Sequence, residues 1–213
     1  GVAMDAGYKS FGDGQAAIDM LEEVAKGSEM GRVIGNGPSA VGKHFNHSRV
    51  PVVKNQSIAA YDPRGMQGNG VTYATSTMGA DHTTGNLIGQ YLGGALDPLS
   101  AKGQVEASRN AQITMASLDN SGLCLLVGGA FENPEALKAF GDMLKAKFGF
   151  EVGPEDGPAL GMRILKAERA FNAGAGLTKE DDRLPAFFLE EPLPPHNKTF
   201  LIPDEDLDSV FNF

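Results

Sequence analysis

The chain has 213 residues, an apolar fraction of 41%, a charged fraction of 21% and a formal net charge of −9. That length suffices for one large domain or two small ones around a sizeable core. The acidic balance gives no electrostatic reason to bind nucleic acid or an anionic membrane, no apolar run approaches the roughly 18 residues of a membrane span, and no charged-then-apolar leader opens the chain.

The 28 glycines are about twice the ordinary share and predict many tight turns or close backbone contacts. One cysteine and eight methionines fit a reducing, cytoplasmic setting. The opening Gly1 to Gly7 reads as the interior or end of a helix, which predicts a fragment or a clipped product. From Asp13, a plausible N-cap, Ile18, Leu21 and Val24 recur at helical spacing to Ala25. Ser28 to Phe45 predicts a second helix, weakened by Gly31, Gly35, Gly37 and Pro38. Val50 to Ala60 is expected to be extended, with Val52 and Val53 in a short strand. Asp62-Pro63-Arg64-Gly65 is a turn, Asn69-Gly70 reads as another, and Thr72 to Gly79 is a short helix of small residues. Pro98 to Leu118 is expected to be the longest continuous helix. Asn133 caps a helix with Pro134 in its first turn, an apolar stripe of Leu137, Phe140, Leu144 and Phe148, and a stop at Gly149. Pro154 to Phe171 is a further helix, Thr178 to Asp181 is a helix start, and the Pro-rich, acidic stretch from Leu184 to Pro195 is expected to be extended. The class predicted is all-α with few or no strands, in two packed helical lobes, residues 1–92 and 93–213.

Candidate chemistry falls in three tracts. The lone Cys124 closes Asp119-Asn120-Ser121-Gly122-Leu123-Cys124. One thiol can neither close an internal disulfide nor build a metal cluster without ligands from elsewhere. An acceptor, a glycine and a thiol this close together present Asp119 and Cys124 from one tight loop. Tyr61 to His82 is dense in glycine and polar residues, as functional loops often are, and His82 offers an imidazole that changes charge near neutral pH. His44 and His47 lie three apart but without a third ligand read as surface residues. Arg169 to Pro185 reads as a helix end, a glycine stop and an acidic helix start.

Tyr61-Asp62-Pro63-Arg64-Gly65, Gly79-Ala80-Asp81-His82, Asp119-x-x-Gly122-Leu123-Cys124, Phe171-Asn172, Asp182-x-Leu184-Pro185 and Glu190-Glu191-Pro192-Leu193, in that order, resemble the C-terminal part of the tungsten-containing aldehyde:ferredoxin oxidoreductases. The resemblance implies a full-length enzyme with a β-rich N-terminal part that carries three further cluster cysteines. It implies a tungsten-bis-pterin and one 4Fe-4S cluster, oxidation of a small aldehyde to a carboxylate and ferredoxin as electron acceptor. It assigns Asp119, Gly122 and Leu123 to a pterin, Cys124 to the cluster as its fourth ligand, and His82 to proton handling. The chain alone is then expected to be inactive and to hold no cofactor. Gly174, where relatives usually have Arg, and the absence of Trp mark a divergent branch. Tungsten versus molybdenum, the substrate and a homo-oligomeric state stay open. A related tungsten oxidoreductase with a non-aldehyde substrate and a free-standing helical binding module are the alternative readings.

Overall fold

The computed structural model describes residues 1–127, 133–149, 153 and 156–213. It is predominantly α-helical, with one two-stranded antiparallel sheet in which β1 (Val52–Val53) pairs with β2 (Gln56–Ser57), Val52 opposite Ser57. Its turn is carried by Lys54 and Asn55, both at positive φ. No helix among the described residues is long and apolar enough to cross a membrane.

Local signals set the first helices. Helix α1 (Val2–Asp5) is followed by α2 (Gly14–Lys26), where the Asp13 carboxylate accepts from the Ala16 amide and Gly27 closes the end in the left-handed region. The single helix expected over residues 28–45 is two, α3 (Glu29–Gly35) and α4 (Pro38–His44). Gly37 at φ 86 and the proline after it break the run. These helices share a small core of Val2, Ala3 and Val41.

The main core gathers Val53, Val71, Tyr73 and Ala74 with Leu184, Phe188, Phe200 and Val210, so its residues come from both sides of position 92. At its centre lies α5 (Gln67–Thr75), buried at every residue. The turn expected at Asn69-Gly70 is therefore corrected to mid-helix. Glycine serves close approach there: a methyl on Gly70 would overlap the Phe200 ring, and one on Gly68 would overlap Leu87 and the Gln104 side chain. The helix's amide side chains are paired: Gln67 donates to Thr199 O and accepts from the Leu201 amide, and Asn69 accepts from the Leu87 amide.

Helix α6 (Ile88–Leu92) precedes α7 (Gln104–Asn120), which starts six residues later than expected, after a turn closed from Ser100 N to Asp97 O. Among the described residues the longest helix is instead α9 (Asp156–Gly174), after α8 (Pro134–Phe148). The expected start of α9 at Pro154 lies outside the described residues. Helices α7 and α9 cross where a Cβ on Gly161 would meet the Ile113 carbonyl, and Ser117 Oγ donates to the Gly157 carbonyl. The helix start at Thr178 is a single 3-10 turn with a capping box. The expected extended tail instead holds α10 (Phe187–Glu190), because Phe188 is buried and its carbonyl accepts from the Phe200 amide. Helix α11 (Asp204–Ser209) adds Leu207 to the core.

Candidate functional site

The C-terminal end of α7 and the loop after α5 meet at a cavity of about 270 Å3, lined by Ser76, Thr84, Gln112, Asp119, Asn120 and Glu168 among others. Asp119, in the last turn of α7, sits at its rim. Partial burial, then the negative charges of Asp81 and Glu168, hold the Asp119 carboxyl above its ordinary range. Its backbone carbonyl accepts from the Gly122 amide. Gly122, at φ 80, has open space where a Cβ would stand, so its main chain is free to lie against a ligand. Leu123 is half-buried and Cys124 is an exposed free thiol. Beyond it the Leu126 side chain is 90% exposed, so an apolar surface flanks the thiol.

His82 lies on a bend, its side chain 44% exposed, with Nδ1 3.9 Å from Asp81 Oδ1. Adjacent residues on a helix point apart, but this stretch is not helical, so the two side chains can approach one another. Asp81 is held by its own turn, accepting from the Thr83 amide and hydroxyl. The His82 ring leans on Tyr61, centroids 5.6 Å apart. Thr84 and Asp119 share the cavity, with His82 two positions from the first and Cys124 five from the second. The structure thus brings Asp119 to a pocket beside the His82 bend and leaves Cys124 open on the surface.

Other motif residues are structural. Arg64 is buried, clasps Asp62 through Nε and Nη2, and donates to Glu191 O. Asp182 joins two cations in the core, and Leu184 packs in the main core. His47 meets Asp5 at 3.0 Å, and His44 lies edge-on to Phe45. A wider groove of about 920 Å3 beside α1 and α10 contains Asp5, Arg49 and Asp62, but their charges are already committed to one another, to Glu191 or to Arg64. Sequence reasoning missed Gln112 and Glu168. Gln112 lies seven positions before Asp119 on one helix, hence on the same face. Glu168 carries no such signal, since α9 reaches the site only through packing.

The family model for aldehyde ferredoxin oxidoreductase, domains 2 and 3, matches residues 3–211. The chain belongs to the aldehyde ferredoxin oxidoreductase family. Among its relatives in this family, the tungsten-containing aldehyde ferredoxin oxidoreductase of Pyrococcus furiosus is 32% identical over 196 residues, 89% of this chain and 32% of its own length. The Pyrococcus abyssi enzyme is 33% identical over 190 residues, 86% of this chain and 31% of its own. That of Thermococcus kodakarensis is 32% identical over 196 residues, 89% and 32%. The chain thus spans about a third of the length of these family relatives.

The relatives are named as tungsten-containing enzymes, and the residues present are compatible with the pterin and cluster that the sequence resemblance implies. An exposed thiol can ligate iron, while the remaining ligands of a four-iron cluster must come from outside a chain with a single cysteine. The acceptor groups around Asp119 suit the N–H-bearing edge of a pterin.

Proposed function

We propose that the chain is the C-terminal part of a tungsten-pterin, iron–sulfur oxidoreductase that oxidises an aldehyde to a carboxylate and passes the electrons to ferredoxin. It works joined to an N-terminal part that supplies the other cluster cysteines, and alone it is inactive. The reading is carried by the exposed Cys124 at the end of Asp119-x-x-Gly122-Leu123 in a chain related to tungsten-containing enzymes.

Oxidation of an aldehyde with water releases two electrons and three protons. A tungsten-bis-pterin beside a four-iron cluster supplies a two-electron acceptor and a one-electron relay. The work left to this chain is to bind, orient and handle protons. Asp119 accepts N–H donors from one pterin, with Gly122 and Leu123 against its ring. Cys124 gives its thiolate to the cluster. His82, half-exposed beside Asp81, takes a proton from the reacting water or hydrate on a ring nitrogen and returns it to solvent. The divergent Gly174 favours, as a second reading, the same cofactors acting on a non-aldehyde substrate.

The test is tungsten, iron and turnover analysis of the full-length protein. Cys124→Ser should lose cluster iron. His82→Asn should keep tungsten and iron while kcat falls by roughly 10²–10⁴-fold. A full-length protein without tungsten and iron, or a stable four-iron cluster on the 213-residue chain alone, would overturn the proposal; the first outcome would favour a binding module.

A further inference from the structure

Gln112 is 2% exposed, and its orientation is set by a chain of hydroxyl groups whose protons are committed. Thr75 Oγ1 donates to Val71 O at 2.8 Å, so it can only accept from Gln112 Nε2, 3.0 Å away. Thr72 Oγ1 donates to Gly85 O at 2.9 Å, so the 2.8 Å contact between Thr72 and Ser108 takes its proton from Ser108. Ser108 Oγ therefore accepts the other Nε2 proton, at 3.2 Å. Turning the amide over would set its oxygen against the Thr75 oxygen, whose proton is already used. What remains is Gln112 Oε1, buried and without a hydrogen-bond partner, on a residue that lines the Asp119 cavity.

The rest of the wall adds acceptors. Asp119 and Glu168 bring carboxylates, and among the described residues no Lys, Arg or His lines the cavity. The Thr77 hydroxyl already donates to Glu168 Oε2 and the Thr84 hydroxyl to Asp81 O. A buried, unpartnered amide oxygen on a residue of this wall, with two carboxylates lining the same cavity and the Thr77 and Thr84 protons turned elsewhere, suits a ligand that brings its own donors. A bare metal ion does not suit it, since no three His, Cys, Asp or Glu side chains among the described residues are grouped to hold one.

We infer that Gln112 Oε1, together with the carboxylates of Asp119 and Glu168, receives the N–H donor edge of a planar heterocycle, making Gln112 a specificity-determining acceptor for a pterin. The inference rests on the reading that Asp119 meets a pterin. The aminopyrimidinone edge of that ring offers an amino group and a ring N–H to these three acceptors.

The test titrates the 213-residue chain with pterin (2-amino-4-hydroxypteridine), followed by the ligand's own fluorescence, and with lumazine, in which a carbonyl replaces the amino group. Pterin should bind, and lumazine at least about tenfold more weakly. Gln112→Leu should weaken pterin binding at least about tenfold. Ala116→Phe, which fills the cavity from the same helix without touching the hydroxyl chain, should do likewise and serves if Gln112→Leu fails to fold. Equal affinity of Gln112→Leu and wild type, equal affinity for both ligands, or full binding by Ala116→Phe would overturn the inference. Loss in Asp119→Asn with none in Gln112→Leu would overturn it while the functional reading stands. No pterin binding by any form would overturn the inference, whereas the functional reading, which expects the chain alone to hold no cofactor, falls only on metal and turnover analysis of the full-length protein.

Discussion

Replacing Asp182 by Ala removes the centre of a buried ion triad. Lys54 Nζ lies 2.6 Å from Asp182 Oδ1, with both side chains 6% exposed, and Arg169 Nη2 lies 2.8 Å from Oδ2. Arg169 is partly open and can turn to water. Lys54 cannot, and without Asp182 it keeps only the Ala74 carbonyl, at 2.8 Å. Stranding a buried charge in this way costs about 3–5 kcal/mol, against a total stability of roughly 5–15 kcal/mol. Urea unfolding of the chain at neutral pH measures it, and at a slope of roughly 1–3 kcal/mol per molar the midpoint should fall by about 1 M or more. The pH dependence gives a second signature. Burial already holds the Lys54 ammonium below its ordinary value of 10.5, so the unfolded chain binds more protons than the folded one just below that value, and stability rises with pH there. Without the carboxylate that interval widens toward neutral pH and the rise becomes larger. Lys54→Met with Asp182→Leu should recover most of the loss, because an apolar pair leaves no charge to solvate. A loss below about 1 kcal/mol for Asp182→Ala, or an unchanged alkaline slope, would refute the reasoning.

Gly70→Ala should destabilise by about 1–3 kcal/mol through overpacking against Phe200 and Pro63, read by the same unfolding curves; an unchanged midpoint would mean that α5 can shift. Native Cys124 should react with one equivalent of a thiol reagent as fast as in urea, because it is exposed, and marked protection would contradict its placement. Asp119→Asn should raise stability at neutral pH by less than about 1 kcal/mol. The folded chain holds this carboxyl above 3.8, so its ionisation removes stability as pH rises through the folded value, and a fall in midpoint would show that the carboxylate is stabilising. Asp208 behaves oppositely. The Arg183 hydrogen bond lowers its pKa below 3.8, so its contribution is present above 3.8 and is lost as pH falls through the folded value. Asp208→Asn should flatten that acid limb in pH-dependent unfolding.

What could be read from the sequence alone was chemistry confined to a few neighbouring residues. Asp13 capping α2, Asn133, Pro134 and Gly149 bounding α8, the capping box at Thr178 and the two-residue strand at Val52 all form as read, because each satisfies its own backbone groups locally. The ordered motifs from Tyr61 to Leu193 likewise mark the family without any fold. Tertiary structure decided what depends on residues far apart. Asn69-Gly70 reads as a turn because glycine is flexible, yet burial holds it in a helix whose glycines admit Phe200 and Leu87. Phe187–Glu190 becomes helical because Phe188 has a core to enter. Asp182, read as part of a helix start, becomes the partner of Lys54, 128 positions away. The same holds at the site. The spacing of Asp119 and Cys124 is local and legible, whereas the unpartnered oxygen of Gln112 exists only because α5, α7 and the loop at Gly85 meet and commit the hydroxyl protons of Thr72, Thr75 and Ser108 elsewhere. Hydrogen-bond satisfaction within a turn belongs to adjacent residues, but within a core it belongs to whatever the fold brings together.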